Sequence, residues 1–227
     1  MTYITAVIPM YNEEENISPL YKQLTKVLKK MKKPYELLFI DDGSDDKTPK
    51  YFKELKKADK HVRVITFKQN KGQSAAMSKG FSSAKGKIII TLDGDLQNDP
   101  SDIPRLIKKL ETGFDVVCGW RYNRKDSKLV KKIPSKLANY ISRKATKAPV
   151  HDLGCTLRAY KTECVKDLKL FKGGHRHIST ILHKKGCKLA EVKVKHNPRF
   201  AGKAKYNSPF RVIECIKGLR KVVKNEH

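Results

Sequence analysis

Asp93-Gly94-Asp95-Leu96-Gln97 follows the apolar run Ile88-Ile89-Ile90-Thr91-Leu92 without a break. Two carboxylates two residues apart, with an amide two residues further on, repel one another unless a cation lies between them. A hard divalent ion is the simplest such cation, since Mg2+ is typically held by one or two carboxylates together with phosphate oxygens. The same pattern, an apolar run that ends in polar chemistry, occurs twice more. Val7-Ile8 leads into Pro9, Tyr11, Asn12 and Glu13, and Leu38-Phe39-Ile40 leads into Asp41 and Asp42. Tyr11 can stack on a base, while the carboxylates of Glu13, Asp41, Asp42 and Asp93 can accept hydrogen bonds from a base or a ribose. Asp95 and Gln97 can supply oxygen ligands to the metal, with Asp93 beside them. The alternative is plainer: acidic loops that cap the helices after them.

These residues need strands to carry them. β-Branched apolar runs read as buried strands, predicted at 3–8, 35–40, 62–67, from 88, and at 115–119. Pro9 lacks an N–H and is expected to end the first of them. Between the strands, Ile17, Leu20, Tyr21, Leu24, Val27, Leu28 and Met31 follow helical spacing. Thr48 and Pro49 read as N-cap and first residue of a helix reaching about residue 58, and helices are also predicted at 73–84 and 101–112. Alternating strands and helices imply an α/β fold with a mostly parallel sheet covered by helices on both faces. Its ligand crevice lies beyond the strand C-termini, at 9–13, 41–44, 93–97 and 119–121.

The second half is less regular. It reads as a helix at 134–145, a strand at 156–161, a helix at 178–185, a strand at 189–195 and a basic loop at 199–207. Phe210, Val212, Ile213, Ile216, Leu219, Val222 and Val223 then make an apolar helical stripe among Lys and Arg residues. Such a helix either lies on an anionic membrane or packs on the protein's own core. No repeat and no long linker divides the 227 residues.

The net charge of +27 is lopsided. Residues 1–113 carry 21 Lys and Arg against 15 Asp and Glu, and residues 114–227 carry 29 against 8. The second half therefore suits an anionic partner: nucleic acid, an anionic membrane or a phosphorylated substrate. Nucleic acid fits poorly, because no recognition motif accompanies the charge and the strand-end acids repel phosphate without a metal. No P-loop and no G-x-G-x-x-G is present. No run reaches the ~18 apolar residues of a membrane span, and residues 1–4 lack the pattern of a secretory leader. Five widely spaced cysteines without a C-x-x-C suit a reducing cytosol.

Three motifs in order, Val7 through Ile17, Asp41-Asp42-Gly43-Ser44 with Asp46 and Thr48, and Asp93-Gly94-Asp95-Leu96-Gln97, resemble the family 2 glycosyltransferases of GT-A fold. Asp-Leu-Gln after the second metal-site acid is similar to the polyprenyl-phosphate glycosyltransferases, of the dolichyl-phosphate mannose synthase type. So are Val117-Cys118-Gly119-Trp120-Arg121, the stretch from His151 to Tyr160, and that from Arg199 to Tyr206. The resemblance implies a catalytic domain over 1–207, with a nucleotide-sugar half at 1–120, an acceptor half at 121–207 and a basic helix at 208–227. It implies that Pro9, Tyr11, Asn12, Glu13, Ile40, Asp41, Asp42 and Asp93 line the donor nucleotide, with Arg199 and Lys205 on its diphosphate. Asp95, Gln97 and Asp93 would hold Mg2+ or Mn2+, and Arg121 and Lys136 would meet the acceptor phosphate. Asp152 would orient Arg121, or act as base if the acceptor were a hydroxyl on a glycan or protein. The implied reaction moves a sugar, of the GDP-mannose or UDP-glucose donor type, to a polyprenyl phosphate with inversion. Its expected place is the cytosolic face of a membrane, held by basic surface or by a separate anchor subunit. Arg158 beside Asp152 reads equally as a structural ion pair or a site residue, while Trp120 is expected to pack rather than bind sugar, and His151, His175 and His177 to be surface or core residues.

Overall fold

The computed structural model of the protein describes residues 2–122, 147–201 and 211–224. Among them, β1 (Ile4–Met10), β2 (Tyr35–Asp41), β3 (Val62–Thr66), β4 (Ile88–Thr91), β5 (Val116–Trp120), β6 (Arg158–Lys161) and β7 (Leu189–Lys193) form one sheet. Their order across it is β3-β2-β1-β4-β6-β5-β7. The α-helices of the described residues are α1 (Glu14–Lys30), α2 (Thr48–Ala58), α3 (Gln73–Ser83), α4 (Ile103–Leu110), α5 (Thr162–Val165), α6 (Ile178–Lys184) and α7 (Arg211–Val223).

Period-2 alternation divides the apolar strand residues between two cores. Ile4, Ala6 and Ile8 of β1, with Leu37 and Phe39 of β2 and Ile88 and Ile90 of β4, pack against Leu20, Leu24 and Leu28 of α1 and Leu106 and Leu110 of α4. Val7, Leu38, Ile40 and Ile89 point the other way, onto Met77 and Phe81 of α3, Ile181 of α6 and Val222 of α7. Burial of both faces is why these strands read as unbroken apolar runs.

β1 does not stop at Pro9. It runs on to Met10, with Pro9 in register with Ile40. In a parallel ladder successive residues bond alternately to the two neighbours. Ile4 donates to Pro34 O and Met10 O accepts from Asp42 N–H, so the even residues face β2. Pro9 therefore faces β4, whose pairing with β1 ends at Val7 and Thr91. Its missing N–H costs no ladder bond. The N-cap expected at Thr48 is also displaced. Thr48 is the first helical residue, its N–H bonded to Asp46 Oδ1 at 2.8 Å, and its hydroxyl accepts the Glu13 N–H at 3.1 Å.

β6 alone runs antiparallel, between β4 and β5. Arg158 pairs with Thr91 at one edge and Cys118 at the other. The segment that leads into β6 consequently lies where β4 and β5 end, which brings Asp152 and Thr156 to the crevice.

Of the two places open to the last helix, Leu219 and Val222 of α7 occupy the protein's own core, at 6% and 0% exposure. Lys184 Nζ closes the helix end by donating to Val222 O and Val223 O at 2.9 and 2.8 Å. Val222→Asp is expected to cost about 3 kcal/mol or more by burying an unpaired charge. The melting temperature should then fall by about 6–12 °C. An unchanged melting curve would mean that the helix does not dock there in solution.

Candidate active site

The loops after β1 and β2 are tied to each other. Asn12 N–H donates to Ser44 Oγ at 2.9 Å, Asn12 Nδ2 to Asp45 Oδ1, and Asp45 N–H returns to Asn12 Oδ1 at 3.0 Å. Glu13 accepts from Asn16 Nδ2. Asp41, fully buried, accepts the Ser44 N–H at 3.0 Å through Oδ1. Asp42 takes the backbone N–H groups of Lys71 and Gly72, both at 2.8 Å. Burial raises its pKa, and the two amides offset part of the rise. Gly43 sits at φ +73° with Gln69 C 2.6 Å from where a Cβ would stand, so only glycine fits this turn. Pro9, Tyr11, Asn12, Glu13, Ile40, Asp41 and Asp42 thus share one end of the sheet.

The acids after β4 form the floor of the crevice. Asp93 Oδ1 accepts from Gln73 Nε2 at 2.9 Å, and Oδ2 accepts from Thr156 Oγ1 at 2.7 Å. Asp95 Oδ1 accepts the Gln97 N–H at 3.1 Å, and Oδ2 pairs with Arg199 Nη2 at 2.9 Å. Gly94 lies against Met10 at the end of β1, where a Cβ would collide with Sδ. Capping, the plainer reading of this loop, falls to Asp99, which accepts the Ser101 N–H at 2.9 Å.

Desolvation, followed by the charge of Asp93, pushes the Asp95 carboxyl up to about 6 from 3.8. Desolvation likewise raises Asp93, against the hydrogen bonds of Thr156 and Gln73 and the charges of Arg121 and Arg199. Two acids held this close, one already drawing a guanidinium, fit a divalent cation with hard oxygen ligands. Asp95 and the half-buried Gln97 are the first ligand candidates, and Asp93, with one hydrogen bond on each oxygen, keeps lone pairs with which to join them. No group of three or more His, Cys, Asp and Glu side chains stands ready as a metal cage among the described residues. Such a site would rely on substrate phosphate for the rest of its ligands.

The opposite wall is cationic. Arg121, just after β5, makes a two-pronged pair with Asp152: Nε to Oδ2 at 2.7 Å and Nη2 to Oδ1 at 2.9 Å. Asp152 also accepts the backbone N–H of Gly154 at 3.2 Å. Burial opposes the charge on Arg121, yet its bonds to Asp152 raise its pKa above the ordinary value. Arg199 reaches Asp95 because the chain after β7 runs alongside the acid loop, with Asn197 N–H on Gln97 O at 2.9 Å and Asn98 bridged to His196. Lys136 and Lys205 lie outside the described residues, as do the helix expected at 134–145 and residues 202–207 of the basic loop.

Of the two readings of Arg158, the ion pair with Asp152 is not made. Its hydrogen bonds go to Leu153 O at 2.6 Å and His175 O at 3.5 Å, while Asp152 is engaged by Arg121. The guanidinium is fully buried at the start of β6, with the planar fork turned to carbonyls. Trp120 packs as expected, stacked on His151 at 4.6 Å with Tyr122 edge-on at 5.3 Å. His151 in turn binds Glu191 through Nδ1 at 2.7 Å. Sequence reading passed over Gln73, Asn98 and Thr156. All three are neutral residues that touch Asp93, with Asn98 Oδ1 accepting its N–H at 3.2 Å.

Comparison with known proteins agrees with this geometry. Residues 5–169 match glycosyl transferase family 2. The dodecaprenyl-phosphate galacturonate synthase of Rhizobium johnstonii is 37% identical over 222 residues, 92% of this chain and 64% of that protein. The undecaprenyl-phosphate 4-deoxy-4-formamido-L-arabinose transferase of Salmonella choleraesuis is 38% identical over 220 residues, 94% and 67% of the two chains. The chain thus spans about two thirds of the length of these relatives. Among solved structures, glucosyl-3-phosphoglycerate synthase from Mycobacterium tuberculosis, in complex with Mn2+, UDP and phosphoglyceric acid, superposes with a TM-score of 0.73 at 17% identity. That alignment covers 98% of this chain and 78% of the other, and establishes the GT-A fold. With acids beyond β4, a cationic wall beyond β5 and β7, and a match over most of its length, the chain belongs to glycosyl transferase family 2.

Proposed function

We propose that the protein transfers a sugar from a nucleotide-sugar donor to a polyprenyl phosphate, inverting the anomeric carbon. The observation that carries this reading is Arg121, fixed by both oxygens of Asp152 and facing a crevice floored by Asp93 and Asp95. Relatives named for action on dodecaprenyl and undecaprenyl phosphate support the acceptor class.

In this reading Pro9, Tyr11, Asn12, Glu13, Ile40, Asp41 and Asp42 surround the nucleoside. Arg199, with Lys205, meets the donor diphosphate, and Arg121, with Lys136, meets the acceptor phosphate. An oxygen of the acceptor phosphate attacks the anomeric carbon. The bond from that carbon to the diphosphate breaks, and the nucleoside diphosphate leaves with the electron pair. An α-linked donor gives a β-linked product. The acceptor is already an anion at neutral pH, so it needs positioning rather than a base. Mg2+ or Mn2+, bound by Asp95 and Gln97 beside Asp93, would neutralise charge developing on the leaving diphosphate. Asp152 has both oxygens on Arg121 and one also on Gly154 N–H, which favours an orienting role over a base for a hydroxyl acceptor.

We assign the catalytic domain to 1–207, with the donor in the first 120 residues and the acceptor side after them. No helix among the described residues is long and apolar enough to cross a membrane. The lipid would be met at the cytosolic membrane face through the basic second half or an anchoring subunit. The test supplies purified protein with Mn2+, a panel of UDP- and GDP-linked sugars including UDP-glucose and GDP-mannose, and undecaprenyl phosphate in anionic vesicles. Mass spectrometry should find a lipid-linked phosphosugar. Transfer to hydroxyl acceptors, with none to lipid phosphate, would overturn the acceptor assignment.

A further inference from the structure

The segment entering α3 makes three separate ties with consecutive residues, two of them to the crevice. Lys71 and Gly72 give their backbone N–H groups to the two oxygens of Asp42, both at 2.8 Å. Gln73 donates its side-chain amide to Asp93 Oδ1 at 2.9 Å. Ser74 Oγ stands 2.9 Å from His175 Nδ1 and accepts the His175 N–H at 3.3 Å. Residues 71–74 therefore join the loop after β2, the acid loop after β4 and the Gly174–His177 turn.

Asp93 is gripped from both sides, by Gln73 at Oδ1 and by Thr156 at Oδ2. Turning its carboxylate would break both bonds at once. Gln73 itself is neutral, and neither its charge nor its reactivity suits it to the chemistry. Its backbone is fixed instead, one residue beyond an amide that Asp42 holds. Partners that orient a ligating carboxylate typically matter almost as much as the ligand, and their loss costs about 10- to 100-fold in metal affinity.

We propose that Gln73 is a positioning residue, whose side-chain amide sets Asp93 toward the metal and diphosphate from a junction anchored by Asp42. One segment then aligns the nucleoside end of the donor pocket with its diphosphate end. The proposal rests on the reading of the crevice as a metal-assisted nucleotide-sugar site.

Calorimetry on the full chain tests it, with UDP and separately GDP titrated in Mn2+ and again in EDTA. Gln73→Leu should weaken the Mn2+-dependent affinity about 10- to 100-fold and leave the affinity in EDTA unchanged. Thr156→Val should show the same split, because it frees the other oxygen of Asp93. Gln73→Glu should lose more than Gln73→Leu, since it sets a carboxylate against Asp93. Melting temperatures within about 3 °C of the parent would show that the variants fold. Wild-type Mn2+-dependent affinity in folded Gln73→Leu, or equal losses with and without metal, would overturn the positioning role alone. A parent protein with no Mn2+-dependent binding of either nucleotide would overturn both this role and the reading beneath it.

Discussion

Asp95→Asn is expected to reduce sugar transfer by about 10³-fold or more while the ligand-free protein melts no lower than its parent at about pH 8. The activity loss follows from charge. Asparagine keeps an oxygen for the Gln97 N–H but gives a metal ion no anionic ligand, and Lewis-acid stabilisation of a leaving diphosphate is worth several kcal/mol, with ~1.4 kcal/mol per tenfold in rate. Stability changes in the opposite direction. The Asp95 carboxyl is raised to about 6 from 3.8, so the fold holds its proton more tightly than the unfolded chain does. The stabilising contribution of that proton is complete below the unfolded value and is lost as the pH rises through about 6. Above that, ionised Asp95 weakens the ligand-free fold. Asparagine removes this cost and gives up the Arg199 pair, whose attraction the shift already includes. Between about pH 4 and 7 the melting temperature of the parent should fall relative to that of the variant. Mn2+ should raise the melting temperature of the parent alone. Near-normal turnover in the variant would remove Asp95 from the metal site.

Much of this was legible because burial writes itself into local pattern. β1 and β2 are covered on both faces, so Val7-Ile8 and Leu37-Leu38-Phe39-Ile40 stand out as apolar runs, and the polar residues at their ends mark the crevice. Neighbour order does not write itself in this way. Nothing in Arg158-Ala159-Tyr160 says that it inserts antiparallel between β4 and β5, yet that placement is what delivers Asp152 and Thr156. Pro9 misled for a related reason. Whether a missing N–H matters depends on which neighbour it faces, and β4 ends before reaching it. Gln73, Asn98 and Thr156 are neutral side chains in loops or at a helix start, with no charge cluster or spacing to announce them. Their role arises from contact with Asp93, which only the folded chain provides. Arg158 was legible as a site-adjacent cation, but its partners are carbonyls, which any residue supplies.

The largest effect on the acceptor is expected at Arg121, where structural and functional roles must be separated. Its side chain is 13% exposed and that of Asp152 is 7%, so Arg121→Ala strands a buried carboxylate. Breaking such a pair from one side typically costs about 3–5 kcal/mol, or about 6–20 °C in melting temperature for a chain of this size. Lost activity in that variant alone would prove little. Replacing both partners by apolar residues of similar volume, Arg121→Met with Asp152→Leu, removes the stranded charge. The double variant should recover at least half of the lost stability, the remainder reflecting the backbone N–H groups of Gly154 and Arg121 that Asp152 also satisfies. Its transfer to polyprenyl phosphate should stay down by about 10²-fold or more, the scale of a charge-assisted hydrogen bond pair. Arg121→Lys should keep the charge and lose the fork, giving a smaller fall in kcat/KM for the lipid. Nucleotide affinity should change less than transfer in all three, because Arg121 spends its guanidinium fork on Asp152. Restored stability with restored transfer would make the pair a structural tie, and equal losses for donor and acceptor would place Arg121 on the diphosphate instead.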